Sequence, residues 1–264
     1  LVLKKDGHSR TGTDRVDRVD EVDKRDKTPK PLPFMESGGP CIVSASRRTD
    51  IPAFYGRWFS ERRRMGWCEV VHPFTRQRLR VSLRREDALA WVFWSRNYEP
   101  FFPELEALWN EGQRFVCHFT INDYPRALET RTPPATRGIE TARRLARRFG
   151  PEVVLWRYDP IVLTSLTPIE WHVERFERLC RALDGATRRC HFSFATYYKK
   201  TRRNMSAAAQ SQGFAFQSLE AGDFTVEDEA AWAGRLGAIA RAHGIGMFTC
   251  CNDALIAPLA NIEK

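Results

Sequence analysis

Val153-Val154-Leu155-Trp156-Arg157-Tyr158-Asp159-Pro160 is the stretch on which the reading of this chain turns. The run predicts a strand over 153–159. On a strand, residues two apart share a face, so Arg157 and Asp159 point the same way as Val153 and Leu155, toward the interior. A charged pair on a buried face is costly unless its members pair with each other or hold a ligand. The stretch is therefore either a structural ion pair or the mouth of a ligand site. The surrounding sequence bears on that choice.

Strand-like and helix-like runs alternate on both sides of it. Upstream, strands are predicted over 41–46, 67–72, 91–95 and 114–121, with a hairpin-like excursion at 78–83. Helices are predicted over 53–65, 86–90, 104–109 and 135–149. The last of these carries Ile139, Ala142, Leu145, Ala146 and Phe149 at helical spacing and stops at Gly150-Pro151. A long loop spans 122–134. Downstream, Thr167-Pro168-Ile169-Glu170 forms a capping box with proline at the first helical position. Strands follow at 189–195, 214–218 and 246–250. Helices follow at 199–210, 226–243 and 253–260, the second capped by Thr225 and stopped by Gly244. Eight strand-like runs alternating with helices predict a single (β/α)8 TIM-barrel-like domain over 41–264. A doubly wound open sheet is the alternative, although no GxGxxG turn or phosphate-binding glycine loop accompanies it.

Residues 1–40 read differently. Asp14, Asp17, Asp20, Asp23 and Asp26 recur every third residue, which fits neither a helix stripe nor a strand face, and the segment has little to bury. A disordered tail is expected there. An in-frame Met35 just before the first strand raises the alternative that this run is translated upstream DNA.

Composition narrows the function. No apolar run reaches the roughly 18 residues of a membrane span, and no signal peptide is visible. Seven cysteines, an odd number without a framework spacing, point to a reducing, cytoplasmic setting. No CxxC or HExxH is present, so no complete metal motif is found. The net charge of +9 invites a nucleic-acid reading. Against it, residues 41–264 hold 30 Arg and only three Lys, a ratio that resembles GC-rich codon usage.

In a parallel barrel, chemistry sits at the C-terminal ends of the strands, and those ends are polar here. The first delivers Ser44, Ser46, Arg47 and Arg48, then Asp50. The third ends at Asn97, and the fourth carries His118, Thr120 and Asn122. The fifth presents Arg157 and Asp159, the sixth His191 and Ser193 with Tyr197 just after, and the last ends at Cys250-Cys251. Two arginines from different strands suit a carboxylate or phosphate. The candidate catalytic residues are Asp50, Asp159 and Tyr197. The candidate substrate-binding residues are Ser46, Arg47, Arg48, Asn97, Thr120, Asn122, Arg157 and Ser193. No metal ligands are assigned.

Four motifs together carry a resemblance: Ser44-Ala45-Ser46-Arg47-Arg48-Thr49-Asp50-Ile51-Pro52, Val92-Phe93-Trp94-Ser95-Arg96-Asn97, Phe119-Thr120-Ile121-Asn122-Asp123-Tyr124-Pro125 and Trp156-Arg157-Tyr158-Asp159-Pro160. Over residues 41 to the end the chain resembles the bacterial family known as domain of unknown function 1848. The resemblance implies a cysteine cluster beyond the barrel, like that which holds a [4Fe–4S] cluster in radical-SAM proteins, and hence S-adenosylmethionine chemistry in complete members. This chain has no three-cysteine cluster, so a C-terminally truncated form is expected. His72 and Thr196 stand where the family leads one to expect Asn and Asp.

The leading expectation is a barrel enzyme with an arginine-lined polar pocket for an anionic or nucleic-acid-derived substrate. The alternatives are a metal-dependent hydrolase or lyase using His72, His118 or His191 with a carboxylate, and a non-enzymatic nucleic-acid-binding protein.

Overall fold

The computed structural model describes residues 40–46, 48–71, 74, 78–250, 252 and 255–256. The tail expected over 1–40 (Pro40 apart), Arg47, His72, Cys251, and all of the helix expected over 253–260 except 255–256 lie outside the described residues.

The architecture is α/β. Six parallel strands form one sheet: β1 (Cys41–Ser44), β4 (Ala88–Ser95), β5 (Arg114–Thr120), β6 (Val154–Ile161), β7 (Arg189–Phe194) and β8 (Gly246–Thr249), hydrogen-bonded in that order. β2 (Trp67–Val71) and β3 (Arg78–Ser82) pair antiparallel as a separate two-stranded sheet. The helices are α1 (Ile51–Phe54), α2 (Gly56–Met65), α3 (Phe102–Asn110), α4 (Ala135–Phe149), α5 (Ile169–Leu183), α6 (Lys199–Gln212) and α7 (Val226–Ala242).

This overturns the eight-stranded barrel. Of the eight strand-like runs, 67–71 folds back on 78–82 instead of joining the main sheet. The run 214–218 is reduced to a single bridge between Thr164 and Phe216. β1 and β8 are the two ends of the sheet and do not pair among the described residues. The layout is Rossmann-like in being an open parallel sheet with helical crossovers. Among the described residues the strand order does not reverse as in a doubly wound sheet, so no switch-point crevice is formed by them.

Residues 86–90, expected as a helix, form a turn and the start of a strand instead. Ser82 Oγ donates to Asp87 Oδ2 at 2.6 Å, and the Ala88 N–H reaches Arg84 O at 3.1 Å. That closes a turn, and β4 starts at Ala88. The helix expected over 53–65 is split: Asp50 caps the short α1, and the chain leaves helical geometry at Tyr55 (φ −130°) before α2. A Cβ at Gly56 would lie 3.0 Å from Glu104 Oε1, the tip of a side chain that would have to give slightly.

Right-handed crossovers along a sheet whose order never reverses put the helices on one face, and the side chains agree. Trp91, Phe93, Phe119, Trp156, Tyr158 and Phe192 are fully buried on that face. Phe59 of α2 meets Trp91 and Phe93 edge-on at 5.2 and 5.4 Å, Phe176 of α5 stacks on Trp156 at 5.0 Å, and Trp232 of α7 meets Phe194 at 6.0 Å. Each such ring buries roughly 150–250 Å², so these rings dominate the core energetics. The even alternation of the strands sends the intervening residues to the opposite face, which no described helix covers in this way.

Candidate functional site

That opposite face is polar near its C-terminal edge. β6 sends Trp156 and Tyr158 into the helix-side core, and Arg157 and Asp159 the other way. The two side chains are 13% and 17% exposed. Arg157 Nε donates to Asp159 Oδ2 at 3.0 Å, and Nη2 donates to the same oxygen. Nη2 also reaches Cys250 Sγ at 3.6 Å. Nη1 has no hydrogen-bond partner among the described residues.

Neighbouring strands hold the pair in place. Asn122, 2% exposed at the end of β5, clamps the Asp159 backbone. Its Nδ2 donates to Asp159 O at 3.1 Å, and its Oδ1 accepts from Asp159 N–H at 3.0 Å. From β7, Ser193 Oγ donates to Asp159 Oδ1. In register, Thr120 of β5 and His191 of β7 flank Arg157 on either side. Three of the predicted substrate-binding residues, Asn122, Arg157 and Ser193, thus meet around Asp159, with Thr120 next to them.

Next to this node a row of flat side chains crosses the same face. Trp94 stacks on His118 at 4.8 Å, His118 lies 5.3 Å from His191, and His191 lies 5.5 Å from Phe248. Burial, then the charge of Arg157 and the neighbouring His191, lowers the His118 pKa to about 3, against a smaller opposing pull from Asp159. Burial and the charges of Arg157 and Arg189 likewise lower that of His191. Both imidazoles are therefore neutral near pH 7. Burial works against the Arg157 charge, but the hydrogen bond and the charge of Asp159 outweigh it and hold its pKa above the ordinary value. The buried Nδ1 of His118 and the hydroxyls of Ser44 and Ser46 have no hydrogen-bond partner among the described residues. A buried polar atom without a partner is uncommon in a folded protein.

The remaining predicted site residues are placed elsewhere. Asp50 accepts from Ala53 N–H at 3.0 Å as the cap of α1. Asn97 accepts from Glu99 N–H at 3.2 Å, ordering the turn into α3. Arg48 is exposed and donates to Val71 O of the hairpin. Its strand is separated from β6 by β4 and β5, about 14 Å at ordinary strand spacing. The two arginines bond to different partners and do not form one clamp. Tyr197 packs its ring on Phe216 at 5.0 Å, its hydroxyl has no hydrogen-bond partner among the described residues, and burial pushes its pKa up to about 12. Arg47 lies outside the described residues. Trp94 and Phe248 were not anticipated. Strand parity alone places Trp94 with His118, but an apolar residue is read by default as core.

A cleft of about 200 Å³ opens beside Asn122, lined also by Thr120, Asp123 and Tyr124 and by the ion pair Arg96–Glu129. Asp123, at the positive φ of 57°, is tied to Arg175 at 2.6 Å.

The described residues do not suit an iron–sulfur cluster. Cys117, Cys180 and Cys190 are buried, and burial pushes their thiols well above the usual range. No group of three His, Cys, Asp or Glu able to hold a metal occurs among the described residues. His118 and His191 are neighbours without a third ligand there, and His72 lies outside the described residues. No described helix is long and apolar enough to cross a membrane.

Fold and site together define an open α/β protein with a polar, partly buried centre at the C-terminal ends of its parallel strands. Residues 42–264 match the family model described as "Domain of unknown function (DUF1848)", and the chain belongs to that family. No curated protein matches it.

Proposed function

We propose that the chain is an enzyme acting on a small anionic molecule bound at Arg157. The carrying observation is that this guanidinium, largely buried on the face opposite the helix-packed core, is oriented through Nε and Nη2 while Nη1 has no hydrogen-bond partner among the described residues. An arginine held in a fixed fork suits a carboxylate or phosphate oxygen. Asp159 orients Arg157, Asn122 and Ser193 orient Asp159, and Thr120 borders the ligand space. His191, neutral and next to Arg157 in register, is the group available to accept a proton from a bound substrate.

Thermal unfolding against a panel of mono- and dicarboxylates, phosphate and nucleoside monophosphates tests this. A ligand at about 100 times its Kd adds roughly 2.7 kcal/mol, or about 5–10 °C for a chain of this size. The shift is expected in the native chain and absent in Arg157→Ala. A panel member that stabilises both equally, or none that stabilises the native chain, would end this reading.

A further inference from the structure

At the opposite end of the sheet, where β4 and β5 begin, α2, α3 and the turn between β3 and β4 border an open cavity of about 640 Å³. Four arginines line it: Arg63 and Arg64 from the last turn of α2, and Arg84 and Arg85 from the turn. Arg63 is neutralised by Glu111 of the α3 C-cap. Arg64, Arg84 and Arg85 have no acidic partner among the described residues, and Glu86 is the one further acid in the lining.

The ordinary role for arginines at helix C-termini is to satisfy terminal carbonyls. Several of those carbonyls are met here by backbone N–H groups, and no hydrogen bond from Arg64, Arg84 or Arg85 to one is present among the described residues. Gly66 N–H bonds Arg63 O at 2.9 Å and Leu83 N–H bonds Gly66 O at 2.9 Å, closing α2. Glu111, Gly112 and Gln113 N–H bond Ala107, Trp109 and Leu108 O at 3.1, 2.9 and 2.9 Å, closing α3. The turn arginines instead lie across the two glycines that end these helices. A Cβ at Gly66 (φ +77°) would stand 3.3 Å from Arg84 Cγ, and one at Gly112 (φ +69°) would stand 3.6 Å from Arg85 Nη2. Two left-handed glycine turns, one from each helix, thus receive adjacent arginines from a single turn and leave both guanidiniums at the cavity.

We infer that this cavity is a second binding site, for a small polyphosphate-bearing molecule. The volume falls within the roughly 300–1,000 Å³ of small-molecule sites. Three unpaired guanidiniums match a multiply charged phosphate chain better than a single carboxylate. The site is independent of the Arg157 centre.

The test is calorimetric titration of the whole chain with inorganic tripolyphosphate at about 0.15 M salt, with a single-stranded oligonucleotide in parallel. Saturable tripolyphosphate binding is expected. The exposed double substitution Arg84→Ala/Arg85→Ala should weaken it by roughly tenfold or more per arginine, with circular dichroism unchanged. Arg157→Ala should leave it unchanged, so a failed Arg157 reading does not affect the result. Absence of tripolyphosphate binding, equal binding by the double variant, or tighter binding of the oligonucleotide than of tripolyphosphate overturns the inference.

Discussion

The Arg157–Asp159 pair should be strongly coupled, and a double-mutant cycle measures that coupling. At an effective dielectric near 20, the attraction across the 3.0 Å Nε···Oδ2 contact is about 5 kcal/mol before desolvation is subtracted. Removing one partner leaves the other charge mostly buried, at 13% or 17% exposure. For pairs of this kind the loss is about 3 kcal/mol or more. Asp159→Ala also strips Ser193 Oγ of its acceptor, so it should be the costlier of the two. Once Asp159 is gone, further loss of Arg157 removes an unpaired charge and should cost little. The double variant is therefore expected near the cost of the worse single change, so that the coupling approaches the cost of the milder one, roughly 3 kcal/mol. Urea unfolding of the native chain, both single variants and the double variant supplies the four numbers. Additivity within about 0.5 kcal/mol would mean that the two groups do not sense each other, and the oriented-arginine argument would fall with it.

Two further outcomes follow from the same geometry. His118 takes up its proton at about 3 in the fold and near 6.5 when unfolded, so its contribution is fully present above pH 6.5 and is lost as pH falls, at up to about 1.4 kcal/mol per pH unit. The penalty of His118→Gln, read by urea unfolding, should shrink by roughly 2 kcal/mol between pH 7 and pH 5; a penalty independent of pH would show that the imidazole is not held neutral by its surroundings. Asn122→Ala leaves the N–H and C=O of Asp159 without their clamp and should cost about 2–3 kcal/mol, with the ligand-induced thermal shift reduced as well; an effect below about 0.5 kcal/mol would mean that Asn122 does not brace the site.

Much of this architecture was written in local pattern. Alternation at 153–159 placed Arg157 and Asp159 together on one face of the strand. That face was expected to be the interior, whereas Trp156 and Tyr158 fill the helix-packed core and the pair lies on the opposite, half-buried side. Periodicity and end signals set α4 and α7 within a few residues, because a strand's period and a helix's cap depend only on near neighbours. α5 starts where expected, but the capping box expected at 167–170 does not form, since Thr167 gives its hydroxyl to Val162 O and the N-cap is Pro168 without a side-chain bond. The same parity brought Thr120, Asn122 and Ser193 toward Arg157. Strand count and closure were not legible in this way. Whether 67–71 enters the main sheet depends on which run it pairs with, and 78–82, a few residues on, offered an antiparallel partner at low loop-closure cost. The run 214–218 had strand-like residues but found only a bridge to Thr164. Arg48 looked equivalent to Arg157 along the chain, yet an open sheet keeps β1 and β6 apart where a closed barrel would have curved them toward a shared axis. Sequence therefore determined which side chains share a face of each strand, since that is a property of the backbone's own repeat. Folding decided which strands lie side by side, and so which of those side chains meet, since pairing is a competition between segments distant in the chain.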